Sequence, residues 1–447
     1  MFATRELRER NGTHEVPTLR IVPATLRVAH VLRKFNPAEW GGTETAVQRL
    51  FDGLSENDVE NVMFCPQLEK KLAQEPLAKN GNTVKRFSAI VPVIGISAED
   101  KKQMISVGGN LMSFDLPLIL LREPNLSVIH SHALGRIGAI AATIASTRKL
   151  PFVVTIHGGL LDLPASVKKD FDNPNYGGFE WGKIFGLLLQ SRKIVERADA
   201  ILTCNPNEAR LLREKFPDKR IKIQPHGIPV ETYQEDHRAE ARVTFPQIRG
   251  KQILLCVGRI DGVKNQKWLV EQSPEIFRRH PNALLVLAGA ITNETYGEEL
   301  KQQIRALGLE EKILLTGGLP PGDARLIGLF QESQALLLPS VSETFGLVLL
   351  EAWAAGTTVI SSRTSGATQL VKHGENGWLF NLNNPREFHD AVDATLSNSS
   401  WRERLAKNGF ELAATKFGVG AVAGQVKQLY EELIEEKSGG ASLPGRL

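Results

Sequence analysis

The sequence has few cysteines and no long apolar run. Its 447 residues include only Cys65, Cys204 and Cys256, which are far apart and form no Cys-x-x-Cys pair. This spacing indicates neither a disulfide framework nor a zinc site and favours a reducing, cytoplasmic compartment. No stretch reaches the 18 or so apolar residues of a transmembrane helix, and residues 1–26 lack the apolar core of a signal peptide. We therefore expect neither kind of segment.

A surplus of charge of one sign is also lacking. The 54 Lys and Arg residues against 50 Asp and Glu leave a net charge of +4, which is too small to argue for a nucleic-acid partner. The basic residues Arg27, Arg33 and Lys34 are too few to support binding to a membrane surface. The hydrophobic share of 42% and charged share of 23% are ordinary for a globular protein. At this length they predict two or three folded units.

From residue 26 onward, short apolar runs rich in β-branched residues alternate with amphipathic stretches of helical length. This alternation predicts βαβ units with buried parallel sheets, so the expected fold class is α/β. The predicted strands are 26–32, 62–66, 126–132, 151–157, 200–205, 221–226, 253–258, 283–290, 313–317, 335–339 and 358–361. The predicted helices include 43–56, 134–149, 183–198, 207–216, 266–280, 297–307, 347–355 and 419–436.

A polar interval interrupts this rhythm once and predicts a linker between two doubly wound domains. Open α/β sheets bind ligands at the carboxyl ends of their strands, so two facing domains predict a cleft where those ends meet. The expected divisions are a disordered or loosely docked extension (1–25), a first Rossmann-like domain (26–228), the linker (229–251), a second Rossmann-like domain (252–415), a C-terminal helix (416–436) whose return to the first domain is left open, and a flexible tail (437–447).

The most informative segment joins a strand to a helix in the second domain. Its polar turn runs from Ser340 to Gly346, and the free N–H groups at the start of the following helix form an anion site. Glu343 and Glu351 would be separated by roughly 12 Å at 1.5 Å per residue, the scale of a nucleotide sugar. One carboxylate could bind the sugar of the donor, and the other could bind the ribose. Taken alone, such a pair is more often two ordinary surface glutamates.

Two cations follow the first strand of the second domain. Arg259 lies at the end of this strand, and Lys264 lies at the opening of the next helix. Arginine offers a planar fork for phosphate oxygens and lysine a point charge, so the pair could neutralise a leaving diphosphate. A solvated basic turn is the alternative.

In the first domain, a glycine pair and a histidine are candidates for ligand contact. Gly41 and Gly42 follow the first strand, but they do not form the G-x-G-x-x-G pattern of a nicotinamide site. His157 ends a predicted parallel strand, where it could hydrogen-bond a sugar hydroxyl in the cleft. Three further strand-end histidines are interpreted as structural: His130, His132 and His226.

The segment 158–182 is long for a loop, which favours a functional role. Its aromatic rings could stack on sugars or lipid chains, or could simply anchor the loop to the core. They are Phe171, Tyr176, Phe179 and Trp181. The sequence Asp170-Phe-Asp172 imitates a metal-binding D-x-D pair, but it does not directly follow a strand, so we expect no metal site there.

Four motifs together resemble the retaining glycosyltransferase family 4 of the GT-B fold. They are the two glutamates eight residues apart with an internal Phe-Gly, the Gly-Arg to Lys-Asn turn, Ser-Gly-Ala at 365–367, and Glu-Asn-Gly-Trp-Leu-Phe at 375–380. The resemblance spans about residues 26–436, and the order of the motifs makes it specific. The sequence departs from the family pattern at His226, where members of the family often have asparagine.

The resemblance implies roles for individual residues. It implies that Arg259 and Lys264 hold the donor diphosphate, that Glu351 binds the ribose, and that Glu343 contacts the donor sugar. It also implies a histidine near the reacting sugar at the position of His157, and an acceptor site in the first domain. The remaining implied donor contacts are Gly41, Gly42, Gly289, Phe345, Gly346 and Leu347.

The function that we predict is the transfer of a hexose from a nucleoside diphosphate donor to a carbohydrate or other hydroxyl acceptor. The anomeric configuration would be retained, and neither a metal nor a cofactor is implied. The departing phosphate oxygen could take the acceptor's proton on the same face of the sugar. Two alternatives stay open, a sugar-nucleotide epimerase of the same architecture and a catalytically idle protein that binds sugar nucleotides.

Overall fold

Two parallel β-sheets organise the protein. The computed structural model describes residues 25–34, 42–67, 82–98, 100–101, 104, 111–162 and 178–439. Their strands are β1 (Leu26–Val31), β2 (Val59–Pro66), β3 (Thr83–Phe87), β4 (Val93–Ile94), β5 (Val128–Ser131), β6 (Phe152–Ile156), β7 (Phe179–Glu180), β8 (Ala200–Thr203), β9 (Arg220–Ile223), β10 (Gln252–Val257), β11 (Ala283–Ala288), β12 (Ile313–Gly317), β13 (Ser333–Leu338), β14 (Thr358–Ser362) and β15 (Trp378–Phe380).

Helices connect these strands and cover the sheets. They are α1 (Gly42–Glu56), α2 (Leu116–Arg122), α3 (Gly135–Thr147), α4 (Lys183–Leu188), α5 (Ile194–Arg197), α6 (Pro206–Lys215), α7 (Val230–Gln234), α8 (Arg238–Thr244), α9 (Gln266–Arg279), α10 (Glu294–Ala306), α11 (Ala324–Glu332), α12 (Leu347–Ala354), α13 (Ala367–Leu370), α14 (Pro385–Ser397), α15 (Ser399–Lys416) and α16 (Val419–Gly439). Within the described ranges, no helix is long and apolar enough to span a membrane.

The strand orders confirm the predicted fold class. The first sheet runs β3-β2-β1-β5-β6-β8-β9 and the second β12-β11-β10-β13-β14-β15, with every pair inside these sheets parallel. Each chain path starts near the middle of its sheet, moves to one edge, and returns to the other side. The reversals lie between β1 and β5 and between β10 and β13, and such switch points open a crevice at the carboxyl ends of the strands.

One predicted helix is broken in the structure, and two edge strands were not predicted. The predicted helix 183–198 is wrong as a single helix, because Gln190 adopts a left-handed backbone conformation with φ of 50° between α4 and a short 3₁₀ turn at Ser191–Lys193. The edge strands β3 and β15 were not predicted. β3 has the sequence Thr-Val-Lys-Arg-Phe, which lacks an apolar run, and β15 has only three residues.

The interval 229–251, predicted as a linker, is not a loose connection. It contains α7, α8 and a 3₁₀ turn at Pro246–Ile248. Tyr233, Ala241 and Ile248 are buried in the same apolar cluster as Leu336 in β13. The few apolar residues of this interval are spaced widely among charged ones, so its polar composition concealed a face that packs on the second domain.

The last helix, α16, packs against the first domain. Leu429 and Leu433 share an apolar cluster with Leu26 and Val128 of the first sheet, and the Tyr430 hydroxyl lies 2.6 Å from His130 Nδ1. The helix continues to Gly439, beyond the predicted end at residue 436, because Lys437 Nζ donates to Leu150 O at 2.9 Å and pairs with Asp199. Of the predicted extension 1–25 and the predicted flexible tail 437–447, residues 1–24 and 440–447 lie outside the described ranges.

Candidate active site

Two glycines shape the turn between β13 and α12, one within the turn and one in the segment after β14 that packs against it. Gly346 has a φ of +90°, a conformation that strains residues with a side chain, and it caps the start of α12. Gly366 donates its N–H to Glu343 O at 2.7 Å, and a Cβ there would lie 2.5 Å from Phe345 N. The Ser-Gly-Ala motif at 365–367 therefore packs against the glutamate-bearing turn and fixes its path.

Lys264 and Glu343, which are 79 residues apart in sequence, form an ion pair. Both side chains are mostly covered, with 19% and 11% of their surface exposed, and the Ser340 hydroxyl donates to Glu343 at 2.9 Å. Asp261 holds the turn in front of Lys264 by accepting its backbone N–H at 2.9 Å. The two residues meet because β10 and β13 are neighbours and both turns leave the same end of the sheet.

Arg259 lies beside this pair but extends into solvent. Its side chain is 53% exposed and pairs with Asp261 at 3.2 Å, so it is free to reorient toward a ligand. The backbone beneath it depends on Gly289, because a Cβ at that position would lie 1.9 Å from Gly258 O. Gly289 also lines an apolar pocket of about 210 Å³ together with Ile291.

Glu351 faces the first domain. Its carboxylate accepts a hydrogen bond from Arg49 Nη2 of α1 at 2.6 Å, and both side chains are only 7% exposed. Tyr233 OH lies 3.2 Å from the same guanidinium nitrogen. Burial alone would lower the pKa of Arg49, but Tyr233 and Glu351 outweigh burial and the net shift is upward. Sequence patterns gave no sign of Arg49 or Tyr233, because their role depends on how the domains dock.

His157 follows β6 in the first domain. Its Nε2 lies 2.9 Å from His132 Nδ1, and its ring stacks on His226 at 5.5 Å between centroids. The His226 ring in turn lies edge-on to Phe345 at 4.9 Å. Burial lowers the pKa of His157 to about 4, so the ring is neutral at pH 7. These contacts bring the predicted histidine next to the second-domain turn.

Asn205 connects the two domains close to this place. Its Nδ2 donates to Ser365 Oγ at 2.8 Å and to Asp162 Oδ2 at 3.0 Å, while Ser365 Oγ donates to the same carboxylate at 2.6 Å. Its Oδ1 caps α6 by accepting the N–H of Asn207 at 2.8 Å. An N-cap asparagine could have been predicted from the Asn-Pro-Asn sequence, but its bonds to the second domain could not.

Glu208 anchors the loop that leaves His157. This fully buried carboxylate accepts the backbone N–H groups of Leu160, Leu161 and Asp162 at 3.0, 3.0 and 2.7 Å. The start of the long segment 158–182 is thus held against α6. No sequence signal distinguished this glutamate from other acidic residues in a first helical turn.

Some predicted positions cannot be placed. Gly41, Asp170-Phe-Asp172 and Tyr176 lie outside the described residues. Gly42 begins α1, and among the described residues no atom beyond its chain neighbours lies within 4 Å of where its Cβ would be.

Comparison with protein families assigns both halves of the protein. Residues 40–232 match Glycosyltransferase Family 4, and residues 238–412 match Glycosyl transferases group 1. The protein is 27% identical to the D-inositol 3-phosphate glycosyltransferase of Frankia alni, over 88% of its own length and 95% of the relative's. It is 32% identical to an uncharacterized glycosyltransferase of Methanocaldococcus jannaschii over 49% and 56% of the two lengths.

Solved structures show the same fold at low sequence identity. Sucrose-phosphate synthase from Thermosynechococcus elongatus superimposes with a TM-score of 0.68 at 21% identity, covering 92% of this protein and 100% of that one. Anabaena HepE in complex with UDP and glucose gives 0.66 at 17% identity, covering 90% and 99%. With both domains matched in order and the two-sheet architecture shared, the protein belongs to glycosyltransferase family 4 of the GT-B fold and is a glycosyltransferase.

Proposed function

We propose that the protein moves a hexose from a nucleoside diphosphate donor to an acceptor hydroxyl with retention of the anomeric configuration, and that it does so without a metal. The observation that carries this proposal is the pairing of Lys264 with Glu343 at the start of α12. It sets an ammonium and a carboxylate beside the N-terminus of α12, where backbone N–H groups and the positive end of the helix dipole favour an anion.

This arrangement suits the charges that develop when the anomeric bond breaks. The leaving diphosphate gains negative charge, which Lys264 and the α12 amides would stabilise as fixed electrostatic groups, with Arg259 able to swing in from solvent. The sugar ring gains positive charge, which the Glu343 carboxylate would face. A cation and helix amides together supply what a divalent metal supplies to a diphosphate elsewhere.

The state of Glu343 favours retention by same-face attack over retention through a covalent sugar–enzyme intermediate. Its carboxylate is engaged by Lys264 and by the Ser340 hydroxyl, which makes it a weak nucleophile for a covalent sugar intermediate. Attack of the acceptor on the same face as the leaving phosphate needs no such intermediate. The phosphate oxygen takes the acceptor proton in that step.

The Glu351 carboxylate would bind the ribose beside Arg49. Arg49 Nη1 is buried and has no hydrogen-bond partner within the described structure, so it offers a donor for a ligand oxygen at the same place. The pocket lined by Gly289 would take the nucleobase.

The test is a screen of purified protein against UDP-, GDP- and ADP-sugars for release of the nucleoside diphosphate. UDP-glucose comes first because the structure of the similar HepE contains UDP and glucose. Inositol phosphate is the first acceptor to try because several relatives are named D-inositol 3-phosphate glycosyltransferase. We expect acceptor-dependent release that survives EDTA, and a product with the donor's anomeric configuration by NMR.

Other outcomes would contradict the proposal. Release that does not depend on any acceptor, with an altered sugar, would indicate an epimerase. A donor that raises the melting temperature by mass action but is never cleaved would indicate an idle binding protein. Loss of activity in EDTA would overturn metal independence, and inversion at the anomeric carbon would overturn retention.

A further inference from the structure

A row of hydrogen-bonded side chains crosses four neighbouring strands of the first sheet and ends at His157, just beyond the carboxyl end of β6. It consists of Asn61, His30, His132 and His157, and we refer to it as the histidine row. The successive contacts are Asn61 Oδ1 to His30 Nε2 at 3.2 Å, His30 Nδ1 to His132 Nε2 at 3.0 Å, and His132 Nδ1 to His157 Nε2 at 2.9 Å. The members come from or follow β2, β1, β5 and β6, which are neighbours in that order.

Asn61 fixes the direction of the first hydrogen bond. Its amide nitrogen lies 3.1 Å from Ser55 Oγ and 3.2 Å from both Val59 O and Asn82 Oδ1. The main-chain oxygens Val59 O and, at 3.4 Å, Phe51 O can only accept, so they define which end of the amide is the NH₂ group, since a flipped amide would set oxygen against oxygen. The end that faces His30 is therefore the carbonyl oxygen, which can only accept, so the proton of the His30 ring must be on Nε2.

This direction propagates along the row because a neutral imidazole has one donor and one acceptor. With its proton on Nε2, His30 accepts at Nδ1 from His132 Nε2–H. His132 then has a bare Nδ1, which accepts from His157 Nε2–H. Burial keeps the rings neutral: it lowers the pKa of His30 to about 3 and of His157 to about 4, and it lowers the pKa of His132 well below its usual value.

The last nitrogen of the row is left with a lone pair. His157 Nδ1 is buried and has no hydrogen-bond partner among the described residues, and the ring is next to His226, which contacts the second-domain turn at Phe345. We propose that the histidine row is a positioning device: it locks the proton of His157 on Nε2 and presents Nδ1 as an acceptor for a hydroxyl group of the bound sugar.

The identity of that hydroxyl rests on the proposed function, whereas the position of the proton does not. Asn61, His30 and His132 act through His157 and are positioning residues. A hydroxyl that donates to Nδ1 would be oriented in the cleft, whereas a ring with its proton on Nδ1 would meet the same hydroxyl as a donor.

A bound cation is the competing explanation for this cluster. Ring nitrogens of His30, His130 and His132 all lie within 4.8 Å of one another. However, His130 is occupied at both nitrogens, by Tyr430 OH and by Thr155 Oγ1 at 2.6 Å each. The nitrogens of the other two rings are occupied within the row, so a metal ion would have to displace hydrogen bonds that already satisfy them.

The direct test needs neither donor nor acceptor. Full-length protein labelled with ¹⁵N-histidine would be studied at pH 7 by two-bond ¹⁵N–¹H correlation, with the His157 signals identified by their loss in His157→Gln. We expect His157 to carry its proton on Nε2 only. A proton on Nδ1, an imidazolium, or one equivalent of tightly held zinc in the purified protein would overturn the proposal.

Variants of His132 test the propagation. In His132→Gln, the amide supplies one donor and one acceptor, so His157 should keep its Nε2–H tautomer. In His132→Leu the row is cut, and we expect mixed tautomers of His157 and a fall in kcat of about tenfold or more, with a smaller change in the donor KM. His130→Leu is the matched control, since it removes a buried imidazole that packs on the row but makes none of its hydrogen bonds.

The comparison of these variants decides between positioning and mere packing. If His130→Leu and His132→Leu disturb the His157 tautomer equally, or if His132→Gln disturbs it as much as His132→Leu does, the row does not position the ring. Should His132→Leu fail to fold, the wild-type and His132→Gln spectra still decide. If no sugar nucleotide is cleaved, the proposed function fails while the tautomer result stands on its own.

Discussion

The two domains present opposite kinds of chemistry to the cleft. The first domain contributes imidazoles that are neutral and hydrogen-bonded to one another, as in the contact between His132 and His157. The second domain contributes full charges held in pairs, as in Lys264 with Glu343. A sugar is uncharged and rich in hydroxyls, whereas a diphosphate is an anion. Under the proposed function, each domain is matched to a different part of one donor molecule.

Lowering the pH should reduce the free energy of unfolding through the buried histidines of the first domain. His30 and His157 have pKa values lowered to about 3 and about 4 in the folded protein, against about 6.5 unfolded. Below pH 6.5 the unfolded state binds more protons, so stability is fully present above that pH and is lost as pH falls toward 4. Each histidine should cost about 1.4 kcal/mol per pH unit in this window.

Urea denaturation at pH 7, 6 and 5 would measure this effect. His30 and His157 together should contribute a loss of about 2.7 kcal/mol per pH unit below pH 6, and the buried His130, His132 and His226, whose pKa values are also lowered, add to it in the same direction. His157→Gln removes one titrating group and should reduce the slope accordingly. A free energy of unfolding that is unchanged between pH 6 and 5 would show that these rings are already protonated in the folded protein.

Removing the ammonium group of Lys264 should reduce the rate of donor cleavage. In Lys264→Ala the leaving diphosphate loses its ammonium, and Glu343 loses its counter-ion. We expect kcat/KM for donor cleavage to fall about 10²- to 10³-fold, or about 3 to 4 kcal/mol. The matched control is Lys267→Ala, whose exposed ammonium pairs with Glu299 and whose loss should leave the rate within about twofold. Equal rates for both variants would contradict the role of Lys264.

Arg49→Met probes the point where the first domain does carry a charge. Removing this guanidinium leaves Glu351 buried without its cation, which should destabilise the protein by about 3 kcal/mol. Arg210→Met is the control, because its pair with Glu214 is 59% exposed on both sides and should change stability by less than about 0.5 kcal/mol. Thermal denaturation compares the two. Similar melting temperatures would mean that the cleft opens widely in solution and hydrates Glu351.

Gly289→Ala tests the backbone packing that positions Arg259. Of the four predicted effects, this one should be the smallest. Its Cβ would meet Gly258 O at 1.9 Å, so β10 and β11 would have to separate at their ends, at a cost of about 2 kcal/mol. Gly262→Ala is the control, since the nearest atom, Cε2 of Tyr296, is 4.0 Å away. A Gly289→Ala protein as stable as the control would show that these strand ends are pliable.

Much of the fold could be predicted because buried parallel strands have a direct sequence signature. β10 and β11 are continuous apolar runs with nearly every residue buried. The meeting of Lys264 and Glu343 followed from the same signature, since residues at the carboxyl ends of parallel strands converge. The edge strand β3 was not predicted, because it is largely polar and half-buried and so lacks a continuous apolar run.

The cross-domain contacts could not be predicted for a different reason. Arg49 lies on α1 among polar and apolar residues in ordinary helical alternation, and nothing local marks it as the partner of a glutamate 302 residues later. The histidine row was hidden in another way. His130, His132, His157 and His226 were recognised at strand ends and His30 was not, and the contacts among these rings depend on the register that sets His30 opposite His130.

The hydrogen bond between His130 and Tyr430 spans 300 residues of sequence. At ribosomal rates of roughly 5 to 20 residues per second, the nascent first domain must wait about 15 to 60 s for the helix that completes its surface. During this interval the apolar side of β1 and β5 that α16 later covers stays exposed. The domain that is made first can therefore reach its final form only when translation is nearly finished, which makes a folding chaperone most useful for its N-terminal half.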